Sequence, residues 1–331
     1  MALDGVPWFI GGDDAEHGPD VARQLLYLAT GGKQGVGSPG DLKVTPLDVP
    51  GQGVQVAAGG GTILNRVASQ QSYGVRNPVT DVDSVKIPKT GSGSGQSYMV
   101  ICRVDNPYVD GNAQAPADPV HGPYDKFDVL PVPAGTRRLQ DVDQYKGISA
   151  IELARIDLPP STGTVTAANI TDLRTLTNPR TEQVRVSATP TDYYVTMATG
   201  QWKPFPEKPI TGLQVPDWAT HAIIRLETAM KYLEGNAFGN FRGFFGPAGA
   251  QATANLFATQ GIDATTAGGG YRQPFIAPSN DAFPIPKSLR GTTVQLTGLV
   301  QPNSAANNGA RIGTAAGDYY FADVTFVERI S

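Results

Sequence analysis

Residues 218–234 read WATHAIIRLETAMKYLE, and the fold turns on how they are read. Leu226, Met230 and Leu233 fit one face of a helix. Ala222, Ile224, Leu226, Thr228, Met230 and Tyr232 fit the strict alternation of a half-buried strand equally well. The residues C-terminal to this stretch tip the balance: Phe238, Phe241, Phe244 and Phe245 alternate with glycine in a strand-and-turn pattern. Further on, Thr292 to Leu296 and Tyr319 to Val327 repeat it, with Tyr320, Ala322, Val324 and Phe326 on one side. The expectation is therefore an antiparallel β-sandwich over 182–331, with Ala219 to Leu233 as one strand. A strand sets His221, Arg225 and Lys231 on a single outward face, whereas a helix scatters them.

Composition points the same way. The 331 residues include 39 Gly and 27 Pro, and only 17% are charged. A coiled coil needs Lys, Glu, Arg, Leu and Ala in quantity, and this chain offers Thr, Val, Gly, Pro and Asn instead. An apolar share of 40% is enough to build a sizeable core. The net charge is −4, and residues 182–331 carry eleven acidic and eleven basic side chains, so nucleic acid has no electrostatic footprint. The single cysteine, Cys102, excludes an intrachain disulfide and a cysteine-built zinc site. It lies in the apolar run Met99 to Val104 and reads as a buried strand residue. The start, Met1-Ala2-Leu3-Asp4-Gly5, lacks the basic region of a signal peptide, and no apolar run is long enough to span a membrane.

In the first half, one helix is expected. Pro19 suits a first turn, Asp20 suits the N-terminal dipole, Val21, Leu25 and Leu28 share a face, and Gly31-Gly32 ends it. Gly35 to Gly40 reads as loop. Short strand-like pieces from Val44 to Val67 are broken by Pro46, Pro50, Gly51, Gly53 and Gly59-Gly60-Gly61. Asp83 to Ile87 and Tyr98 to Val104 are strands. Residues 105–126 form a long excursion. Ile148 to Leu158 is again a strand, with Ile151, Leu153 and Ile156 toward a core, and Asn169 to Arg174 offers a helical turn. Thr177-Asn178-Pro179-Arg180 is the best boundary, because ten of the twelve Phe lie beyond residue 181.

Chemistry-bearing patterns are scarce. His17, His121 and His221 have no His or Cys neighbour at metal-binding spacing, and no cofactor motif is present. The glycine clusters match neither a phosphate loop nor a dinucleotide fingerprint. Ser38, Ser92 and Ser94 lie outside any Gly-x-Ser-x-Gly elbow. The pairs Asp13-Asp14, Asp81 with Asp83, and Asp141 with Asp143 read as solvated turns rather than a glycosidase pair or an EF-hand. Trp202, Trp218 and Tyr271, beside Tyr193 and Tyr194, lie among Pro and Gly, where a ring could stack on a sugar; packing in a core or interface is the plainer reading.

Three stretches carry a resemblance. Val44 to Ile63, with Val54-Gln55-Val56-Ala57-Ala58-Gly59, resembles the opening of minor tail and baseplate proteins of long-tailed bacteriophages. Ile148 to Ile156 followed by Ile170-Thr171-Asp172-Leu173-Arg174 is similar to the end of that module, where a "Leu-Ala-x-Ile" strand precedes an "Ile-Thr-Asp-x-Arg" turn. Pro216 to Thr220 and Leu289 to Thr293 look like the edges of the jelly-roll sandwich that many such proteins carry.

The resemblance implies a β-rich attachment module at 1–178 and a jelly-roll-like β-sandwich at 179–331. It implies a non-enzymatic subunit of a virion tail tip, baseplate or fibre, synthesised in the host cytoplasm. Its partners would be other copies of itself in a homotrimer, further tail-tip proteins, and a host-surface glycan. No catalytic residue, metal or cofactor is expected. Asp172 and Arg174 are the candidate structural pair, each bonded to groups other than its neighbour, with Arg174 pinning the link between domains. Trp202, Trp218 and Tyr271 are the candidate glycan or host contacts. A β-sandwich lectin or carbohydrate-active enzyme is the alternative.

Overall fold

The computed structural model describes residues 18–110, 113–196, 201–234, 237–247, 259–264, 272–278, 282–302 and 311–330. The chain divides into two compact units, Met1–Pro179 with Ile330 and Arg180–Arg329 with Ser331. The fold is mainly β. Among the described residues, every strand pair in the sheets is antiparallel.

The first unit opens with α1 (Pro19–Thr30). Pro19 occupies its first turn, and Gly31 closes it in the left-handed conformation that glycine adopts without steric cost. Leu25 and Leu28 on the expected apolar face are exposed, and Thr30 is the buried residue of the helix. Then come β1 (Gly35–Val36), β2 (Val44–Pro46), β3 (Gly53–Val56), β4 (Gly59–Leu64) and β5 (Ser72–Asn77). They are followed by β6 (Asp81–Lys86), β7 (Gln96–Val104), β8 (Asp125–Val132), β9 (Ala150–Leu158) and β10 (Ile170–Asp172). These form three sheets, in the orders β1-β4-β5, β2-β3-β6 and β10-β9-β7-β8.

Strand β7 is buried on both faces. Tyr98, Val100 and Cys102 enter one cluster with Val54, Ile63 and Ile156, while Met99 and Ile101 enter another with Leu139 and Tyr145. A bulge opposite Val100/Ile101 shifts the phase of β9, so Ile151 and Ile156 reach the same cluster despite an odd spacing.

Two expectations need correction here. The glycines at 35 and 59–61 do not interrupt strands; they lie in β1 and β4. A Cβ on Gly35 would stand 2.2 Å from the Thr175 carbonyl oxygen, and one on Gly61 would stand 2.6 Å from that of Gly35. Close backbone approach, not a turn, explains them. The helical turn expected at Asn169 to Arg174 is limited to a 3-10 turn at Ala167–Asn169, capped by Thr166, after which β10 pairs with β9.

The second unit contains β11 (Thr181–Ser187), β12 (Tyr193–Thr196), β13 (Lys203–Pro204), β14 (Ile210–Gln214), β15 (His221–Glu234) and β16 (Ala237–Gly246). It continues with β17 (Gln260–Ala264), β18 (Arg272–Pro278), β19 (Phe283–Pro284), β20 (Thr293–Pro302), β21 (Arg311–Thr314) and β22 (Tyr320–Val327). One sheet runs β11-β22-β15-β21-β12, with β18 and β19 also on β15. The other runs β13-β20-β16-β17, with β14 on β20. Their inner faces share one core: Ala222, Ile224, Leu226 and Met230 of β15 and Val324 and Phe326 of β22 meet Phe241 and Phe245 of β16 and Leu296 and Val300 of β20. This is a β-sandwich, and β15 is the fourteen-residue strand the alternation predicts.

Candidate functional site

Strand β10 ends in an Asx turn. The Asp172 carboxylate accepts a hydrogen bond from the Arg174 backbone N–H at 3.1 Å, and then the guanidinium at 3.0 Å from Nε and 2.7 Å from Nη2. The expectation that these two side chains avoid each other assumed a helical turn; past the end of a strand the chain folds back and brings them together. Arg174 also donates Nη1 to the carbonyls of Pro39 at 2.9 Å and Asp41 at 2.6 Å, and its side chain is fully buried. It thus ties the chain end of β10 to the loop between β1 and β2, within the first unit. Asp41 continues the lock by accepting hydrogen bonds from the Ser38 hydroxyl and the Gly60 N–H.

In the second unit each candidate indole is paired with an arginine. The Arg242 guanidinium lies 3.8 Å from the Trp202 ring centroid, and that of Arg180 lies 5.2 Å from Trp218. Both tryptophans are half-buried. Burial holds Arg242 below the usual arginine range, and its Nε is buried without a hydrogen-bond partner. Tyr271 lies outside the described residues.

The outward face of β15 carries His221, Ile223, Arg225, Glu227 and Lys231. Arg225 pairs with Glu227 at 2.7 Å, and Thr220 Oγ1 lies 2.9 Å from His221 Nδ1. Next to it on β22, Asp323 is gripped at two points by Arg185 of β11, 2.6 and 2.9 Å away. Those bonds hold the Asp323 carboxyl below its usual range, helped by Arg225.

Sequence reasoning misses a second two-point grip. Arg180 Nε and Nη2 reach the Glu328 carboxylate at 3.0 and 2.6 Å, and its backbone N–H adds a third bond. Burial alone would raise the Glu328 pKa, but the hydrogen bonds from Arg180 outweigh it and hold the group low. The available signal is register: Thr181 faces Val327, so Arg180 and Glu328 are the next cross-strand pair outward.

Elsewhere, Arg103 reaches both Asp105 and Asp128, and Arg155 reaches Asp157. Burial alone would raise the Asp157 pKa; hydrogen bonds from Arg155 and Ser97 overcome that and lower it. A carboxylate committed to an arginine is a poor general acid at neutral pH. Among the described residues, no group of three or more His, Cys, Asp or Glu is placed to hold a metal ion, and no helix is long and apolar enough to cross a membrane. Cys102 is buried, and desolvation, with the Asp125 charge adding, pushes its thiol up to about 12.

No protein-family model and no curated protein matches the chain. Among solved structures, it is similar to a chain of the T13 IBDV viral particle, with 12% identity over 90% of this chain and 70% of that chain, at a TM-score of 0.27. It is likewise similar to the VP2 subviral particle of infectious bursal disease virus, with 11% identity over 90% and 73% of the two chains, at 0.23. Superpositions this loose carry no argument about function.

Proposed function

We propose that the chain is a non-enzymatic structural subunit of a virus particle, and more finely of a bacteriophage tail tip, baseplate or tail fibre. One observation carries the reading. The Ile170-Thr171-Asp172-Leu173-Arg174 stretch, which resembles the end of a tail-protein attachment module, forms a built lock in which a buried Arg174 fastens two segments of the unit. An assembly subunit needs rigid units, and buried multi-point arginine contacts supply rigidity. The arginine-committed carboxylates favour a structural over a hydrolytic role. In this reading the chain acts as a homotrimer beside other tail-tip proteins. The outward face of β15 and, apart from it, Trp218 and Trp202, the latter stacked on Arg242 of the other sheet, are the surfaces offered to a neighbouring copy or a host-surface glycan.

The test is localisation on the intact particle. Gold-labelled antibody against the chain, viewed by electron cryo-microscopy, should decorate the tail tip. Label on the head alone, or on no particle, overturns the reading. Light scattering on the purified chain should give a trimer, and a stable monomer would remove the trimeric part.

A further inference from the structure

The first unit contains a cleft of about 660 Å³ that the proposed function does not use. Four of its wall cations come from three separate stretches of chain: Lys33 after α1, Arg66 after β4, and Arg137 with Arg138 after β8. All four side chains are exposed. Arg66 is steadied by one hydrogen bond, 3.2 Å from Nη2 to Gln34 Oε1. A guanidinium has five N–H donors, and the other four of Arg66 have no partner among the described residues. Lys33, Arg137 and Arg138 form no ion pair among the described residues.

Three carboxylates share the walls and are largely spoken for. Asp172 is consumed by Arg174. Glu152 accepts the Leu139 backbone N–H at 2.7 Å. Asp141 is exposed, and it and Glu152 each keep one negative charge, so two of the four cations are offset and positive charge remains in excess. Gln140 also lines the cleft, but its Nε2 is sealed from it, so the case rests on the cations.

We infer that this cleft binds a ligand carrying two or more phosphate or sulfate groups. A carboxylate presents two coplanar oxygens that a single guanidinium fork satisfies. Cations converging from three stretches of chain suit a tetrahedral oxyanion, whose oxygens point in several directions. The volume lies in the range of small-molecule sites and exceeds the needs of one inorganic ion. Free polyphosphate and a phosphate or sulfate ester on a sugar present the same chemistry. The inference does not depend on the tail-subunit reading.

The test is calorimetric titration of the full chain with pyrophosphate, with a sulfated disaccharide, and with the same disaccharide unsulfated. We expect saturable binding of one charged probe per chain, weakening as salt is raised, and none of the neutral sugar. Preference for pyrophosphate assigns a free polyphosphate; preference for the sulfated sugar assigns an ester. Arg137→Gln with Arg138→Gln should weaken binding at least about tenfold, while Lys208→Gln in the second unit should leave it unchanged. If the double variant misfolds by circular dichroism, Arg66→Gln reads the same loss. Failure of both charged probes to saturate by about 1 mM, equal binding of the neutral sugar, or undiminished binding in the folded variants overturns the inference.

Discussion

The phenol oxygen of Tyr320 accepts a hydrogen bond from the backbone N–H of Gly298 at 2.9 Å and donates to the carbonyl of Leu296 at 3.3 Å. Tyr320 belongs to one sheet of the sandwich and both partners to the other, so a single side chain stitches the two layers through a fully buried contact. Tyr320→Phe would leave the Gly298 N–H without its acceptor. The expected cost is about 1–3 kcal/mol, read as a lower urea midpoint for the second unit. An unchanged midpoint would show that the stitch adds nothing.

Desolvation pushes the Tyr320 hydroxyl well above its usual range. The sign follows from the neutral form being the folded one. The folded pKa exceeds the unfolded value of about 10, so the contribution is complete below that pH and is lost as pH rises above it. Stability of the second unit should therefore fall above pH ~10, and Tyr320→Phe should flatten that fall. Absorbance of ionised tyrosine, followed with circular dichroism, checks that the ionisation step coincides with unfolding.

Glu328 works at the opposite end of the scale. Its carboxyl is held low despite burial because Arg180 grips it. That contribution is complete above the unfolded value of about 4.3 and is lost as pH falls below it toward the folded value. Glu328→Gln should lower the urea midpoint of the second unit at pH 7 and reduce its acid sensitivity. A variant with the same pH profile as the parent would place the acid response elsewhere.

Arg174 is fully buried while Asp172 stays open to water, so losing Arg174 strands buried carbonyls rather than a buried charge. Arg174→Ala should destabilise the first unit by about 1–3 kcal/mol, since it abandons the carbonyls of Pro39 and Asp41. Arg174→Lys keeps the charge but cannot span carboxylate and carbonyls at once, and should recover only part of the loss. Full recovery by lysine would mean that charge alone, not the fork, matters.

Cys102 should be inert. With its thiol buried and pushed up to about 12, almost no thiolate exists near neutrality. A chromogenic disulfide reagent should label it only after denaturant is added, and prompt labelling of the native chain would contradict the assigned burial.

Strands β15 and β22 are readable in sequence because one face of each is buried and the other is not, so polarity alternates with the pleat. Strand β8 escapes reading because it is an edge strand containing Pro131, tolerated there since an edge N–H needs no partner. Strands β1 and β4 escape because glycine, normally a breaker, is demanded by backbone passing close by. The grip of Arg180 on Glu328 spans 148 positions, and the cationic cleft gathers three distant stretches of chain. Neither is visible until pairing register and topology are known.

Strand β7 has apolar layers on both sides and hydrogen-bonded neighbours at both edges, β9 and β8. No partial opening of the first unit can wet this strand without removing a whole layer. The amide protons of Met99 to Ile101 should then exchange with deuterated solvent only through complete unfolding of that unit, and their exchange rates would report its global opening free energy directly.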